Sequence, residues 1–159
     1  MVNLRDLPKP ARSLAAAVTA AVDAARAADA DALRVAATDL AAFDPTLAGT
    51  VMGETLRRVL EAGHPDGLDG DDLRAVLEDC TRRALPWLPE LDPEVLLVVL
   101  AGALGVHPEE ADGIARPKPQ AVALHAPVLL ADLLGRKSLE IPLVAAFAEI
   151  ARAETMEAP

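Results

Sequence analysis

The chain has 159 residues, 52% apolar and 25% charged, with a formal net charge of -10. That length suits one ordinary domain, and the apolar share excludes an intrinsically disordered chain. The acidic balance argues against sequence-independent nucleic-acid binding and against docking on anionic membranes, both of which draw affinity from basic groups.

The apolar residues are mostly Ala, Leu and Val; the aromatics are Phe43, Trp87 and Phe147, and Tyr is absent. Ala and Leu are strong helix formers, whereas strands favour β-branched and aromatic residues, so an all-α fold is expected. Boundary signals point to a single-domain bundle of about six to eight helices, with a short leader at 1–9, a helical domain at 10–154 and a fraying end at 155–159. Cys80 is the single cysteine, which rules out an intrachain disulfide. The first residues lack the basic and apolar regions of a signal peptide. The longest apolar run, Val95 to Val106, covers about a dozen residues where a membrane span needs roughly 20. A cytoplasmic protein is expected.

The first helix is expected from about Pro10 to Ala28, with Leu14, Val18, Val22 and Ala25 on one narrow stripe. Asp29 or Asp31 can cap a second helix that turns Leu33, Ala36, Ala37 and Leu40 inward. Asp44-Pro45 restarts the chain as N-cap and first helical residue. The third helix then carries Val51, Met52, Thr55, Leu56, Val59 and Leu60 inward, up to Gly63 as a left-handed C′ residue. The segment from His64 to Gly70 reads as a turn. A fourth helix, from about Asp71 to Leu85, places Leu73, Val76, Leu77, Cys80 and Ala84 on one face before Pro86 and Pro89 stop it around Trp87.

Asp92-Pro93 repeats the start signal, and helix five runs to Leu104 with Gly105 behind it. From Val95 to Leu104 every residue is apolar or Gly, so this helix is expected to be buried on all sides, inside the domain or in an oligomer interface. A long connection from Val106 to Gln120 leaves room for one helical turn after Pro108. Helix six, from about Ala121 to Leu134, contains Pro127, which should kink or divide it. The last helix spans about Leu143 to Ala153, with Leu143, Val144, Phe147 and Ile150 inward. A 33-residue echo between Val95-Leu96-Leu97 and Val128-Leu129-Leu130 does not continue into the N-terminal half and is read as coincidence.

Few residues suggest chemistry. His64, Asp66, Asp69, Asp71 and Asp72 cluster, yet their spacing is not that of an EF-hand, and Asp69 reads as an N-cap with Asp71 and Asp72 in the favourable first turn. No metal and no cofactor is expected there. His125 lies in an apolar segment and reads as a satisfied core or interface residue, while Cys80 on an apolar face reads as an inert buried thiol. Arg57-Arg58 and Arg82-Arg83 lie near helix C-termini, where cations complement the dipole. Brought together, their guanidinium forks would suit a carboxylate or phosphate.

The function expected is therefore that of a non-enzymatic helical interaction or scaffold protein. It is expected to act through an apolar helical face, as a homo-oligomer whose interface draws on Val95–Leu134, with a protein partner also possible. The alternative is a small helical enzyme or anionic-ligand-binding protein. Its pocket would lie near the 106–120 loop, with Arg57, Arg58, Arg82, Arg83, Trp87 and His107 as site residues and no catalytic residue assigned. A helix-turn-helix regulator ranks third because of the acidic charge.

Overall fold

The computed structural model describes residues 3–107 and 113–157. Asn3 caps a 3-10 turn, Leu4–Asp6, and α1 (Lys9–Arg26) follows directly. Its stripe is buried as the spacing predicts, with Leu14, Val18 and Val22 fully covered and Ala15, Ala21, Ala24 and Ala25 beside them. Small side chains let α2 (Ala30–Ala41) and the later helix at 119–134 approach α1 closely.

The turn from α1 to α2 is made by Ala28, whose φ of 53° is left-handed. The Asp29 N–H donates to Ala24 O at 3.0 Å and the Ala28 N–H to Ala25 O at 3.0 Å, satisfying carbonyls that the helix end leaves open. Of the two cap candidates, Asp29 is the one used: its Oδ1 accepts from the Ala32 N–H at 3.0 Å.

Asp44 caps α3 (Pro45–Gly63) through the Leu47 N–H at 3.1 Å. Gly63 does not take the expected left-handed conformation; it is the last helical residue, and the positive φ of this turn falls on Gly67. The imidazole of His64 closes the helix instead, its Nδ1 3.0 Å from Leu60 O. With that carbonyl met by a side chain, no left-handed backbone is required there.

Asp69 and Asp72 form a reciprocal capping box at the start of α4 (Gly70–Ala84). Only Cys80 and Ala84 of the expected inner face are fully buried, while Leu73, Val76 and Leu77 are half-buried. Asp92 and Pro93 begin α5 (Pro93–Ala103), which ends on left-handed Gly105.

Helix α6 (Pro119–Leu134) passes through Pro127 without being divided. It is the central element, packed against α1, α2, α3, α4 and α5. Val128, Leu129, Leu130 and Leu134 are buried within the single chain. The fully buried position expected for α5 thus belongs to α6. On α5, Leu96 and Leu100 reach the core, but Val95, Leu97 and Val99 are half-buried, because α3, α4 and α6 leave part of its circumference open.

Ser138 leads into α7 (Glu140–Glu157), which starts earlier than the expected Leu143 and extends through 155–157, where fraying was expected. It packs on α3 through Leu143, Val144 and Phe147. The 85 to 92 connection adds Leu88 and Leu91 to one continuous core.

The expected turn after Pro108 and the final two residues lie outside the described residues. Among the described residues, no helix is long and apolar enough to cross a membrane.

Candidate functional site

Helix α4 is amphipathic, yet its apolar stripe is wider than the strip its neighbours cover. Helix α5 is apolar nearly all round, and Val95, Leu97 and Val99 on it are only half-buried. Where they run side by side they leave an open groove of about 560 Å³, lined by Leu77, Glu78, Thr81 and Arg82 of α4 and by Pro93, Glu94 and Leu97 of α5. Its floor is apolar, from Leu77, Pro93 and Leu97. Glu78 and Glu94 are exposed on opposite banks.

Arg82 is the one residue of the expected anion site that lines this groove. It lies 3.1 Å from Asp79, so its charge is already matched on its own helix. Arg83 turns the other way and places one guanidinium nitrogen 2.9 Å from both carboxylate oxygens of Asp132 on α6. Arg57 pairs with Glu54 and Glu61 along α3. Arg58 pairs with Glu54 and reaches Glu149 of α7 at 3.7 Å. The two arginine pairs thus engage different carboxylates on different elements. Trp87 is half-buried on the core, and His107 is an exposed residue beyond the end of α5.

The acidic cluster is spent on local structure. Asp69 Oδ1 accepts from the Asp72 N–H at 2.8 Å, and Asp72 Oδ2 accepts from the Asp69 N–H at 3.0 Å. Asp71 lies 3.1 Å from Arg74. Among the described residues, no group of three or more His, Cys, Asp or Glu gathers as a metal-binding set. Cys80 is buried, and burial pushes its thiol up to about 12, far from the thiolate that nucleophilic chemistry requires.

A polar anchorage behind the groove was not evident from the residues. His125 on α6 is 3% exposed. Its Nε2 accepts from the Asp92 N–H at 2.9 Å, and its Nδ1 lies 2.8 Å from Ala121 O. An accepting Nε2 requires the neutral ring with its proton on Nδ1. Burial is the main reason its basicity is lowered. Asp92 meanwhile caps α5 through the Glu94 N–H at 3.0 Å.

Nearby, Glu90 receives Arg34 of α2 in a bidentate pair, Nε to Oε2 at 2.7 Å and Nη2 to Oε1 at 2.9 Å. The guanidinium holds the Glu90 carboxyl down at about 2. Together these bonds set the start of α5, and with it the α5 bank of the groove. A smaller hollow of about 430 Å³ lies between α2 and the start of α6, beside Arg34, Thr38 and Gln120. Arg34, the cation lining it, is engaged by Glu90 and Asp31.

The groove is not legible in the sequence because each of its banks looks ordinary alone. The signal that existed was the mismatch between a wide apolar stripe on α4 and an unbroken apolar run on α5. No family model matches this sequence, and neither a curated protein nor a solved structure matches it.

Proposed function

We propose that the protein is a non-catalytic helical interaction or scaffold protein that acts through the apolar face shared by α4 and α5. The observation that carries this reading is the open groove floored by Leu77, Pro93 and Leu97. Apolar surface of this kind between two helices gains free energy when a partner removes it from water. Arg82 is paired with Asp79 on its own helix, and the start of α5 is fixed by the Asp92–His125–Ala121 bonds, which suits a rigid docking face. Either a separate protein partner or a second copy could cover the face, and a homo-oligomer would then form through α5 rather than through the buried side chains of α6.

Site-specific photocrosslinking in the native cell tests the reading. A photoreactive residue replacing Leu97 is expected to give discrete adducts, and one replacing the exposed Val35 on α2 is expected to give none. An adduct of doubled mass identifies a second copy as occupant. Equal adducts at both positions, or none at Leu97, reject the face as a contact surface.

A further inference from the structure

The banks of the α4–α5 groove carry unspent negative charge. Glu78 on α4 and Glu94 on α5 have no ion-pair partner among the described residues, while the lining cation, Arg82, is matched by Asp79 at 3.1 Å. An occupant must therefore bring apolar groups to Leu77 and Leu97 and positive charge to both sides. We propose that the groove receives a basic amphipathic helix, its apolar stripe on Leu77 and Leu97 and its Lys or Arg side chains on Glu78 and Glu94.

This rests on the reading of the α4–α5 face as a docking surface and names the chemistry of the partner. An apolar row flanked by basic positions is the pattern by which one helix face seats in a groove, and opposite charges on the rim select the partner and speed its arrival. A second copy fits less well. A two-fold contact sets the same surface against itself, which brings one acidic rim toward another on chains of net charge -10.

The test uses the full-length chain and three synthetic helical peptides of about 18 residues, all with Leu at the i, i+3, i+4, i+7 positions. They differ in carrying Lys, Gln or Glu elsewhere. Binding is followed by fluorescence anisotropy at low and physiological salt, for the wild type, the Glu78→Lys/Glu94→Lys variant, the Leu97→Asp variant and a control, Asp23→Lys/Asp39→Lys, on exposed positions of α1 and α2. Circular dichroism checks each fold.

The Lys peptide is expected to bind the wild type at least about tenfold more tightly than the others, with affinity falling as salt rises. The Glu78→Lys/Glu94→Lys variant should lose about tenfold for the Lys peptide and come to prefer the Glu peptide. The control should stay within about twofold, since exposed charges far from a contact act weakly through salt.

Equal binding of all three peptides overturns the proposal while leaving the docking face in place. Equal loss in both charge-reversal variants also overturns it, showing attraction to net charge alone. Failure of every peptide, combined with wild-type self-association in light scattering that Leu97→Asp abolishes, overturns it in favour of a second copy. Failure of every peptide without any association removes both the proposal and the docking face.

Discussion

The backbone N–H of Asp92 donates to Nε2 of His125 across 2.9 Å, tying the first residue of one helix start to the middle of the central helix. The same imidazole donates from Nδ1 to Ala121 O at 2.8 Å, so both ring nitrogens are used and the ring is neutral. A second proton would place an N–H against the Asp92 N–H inside a buried site.

Acid should therefore loosen the protein through His125 first. Its basicity is lowered in the fold, mainly by burial, so the unfolded chain binds the proton more readily. The associated stability is complete above the unfolded value of about 6.5 and is lost as pH falls from there through the lower folded value. His125→Ala should cost about 2–4 kcal/mol at neutral pH, from a cavity and two unpaired backbone groups. The variant should also flatten the melting temperature between about pH 6.5 and 5. An unchanged slope in the variant would show that another group senses the acid.

A second acid response belongs to Glu90. Its folded value is depressed to about 2 by the Arg34 guanidinium, so its contribution is present above the ordinary value of 4.5 and lost as pH falls through the folded one. Both side chains are well exposed, which limits the effect. Glu90→Gln should shift the neutral-pH melting temperature by no more than about 2 °C and remove part of the loss below about pH 4.5. Melting curves of the two proteins from neutral pH to about pH 3 decide the matter.

Ala28 offers a stabilising substitution. A φ of 53° places its Cβ close to backbone, a strain that glycine escapes. Ala28→Gly should raise stability by about 0.5–1 kcal/mol, the relief of strain exceeding the added freedom of the unfolded chain. That corresponds to a rise of about 1–4 °C in calorimetry, and a fall would refute the strain.

Leu97 and Leu130 separate surface from core. Leu130 is fully buried on α6, so Leu130→Asp should unfold the chain, costing more than about 4 kcal/mol through a lost core contact and an unpaired buried charge. Leu97 lines the groove, and Leu97→Asp should keep the helical spectrum. Circular dichroism showing both variants folded, or both unfolded, would contradict this division.

Cys80 should resist thiol reagents in the native state, since it is buried and its thiol is pushed up to about 12. Labelling at about pH 8 should proceed only as fast as the protein opens and become immediate in denaturant. Rapid labelling of the folded protein would place Cys80 at an accessible surface.

What could be deduced from the residues alone is the set of interactions closed within one helical turn. Asp29, Asp44, Asp69 and Asp92 act as N-caps because a carboxylate bonds an N–H two or three positions on, whatever the rest of the chain does. The stripes of α1 and α2 are legible for the same reason: helical geometry alone puts Leu14 with Val18 and Leu33 with Leu40. The choice of α6 over α5 as the central helix was not legible, since both are apolar nearly all round and only the packing of neighbours distinguishes them. His125 meets Asp92 across 33 positions, Arg83 meets Asp132 across 49, and Arg34 meets Glu90 across 56. Such pairs leave no periodic trace along the chain, because what joins them is the crossing of helices. The groove of Leu77 and Leu97 has the same origin: it is the space left where α4 and α5 pack without covering each other.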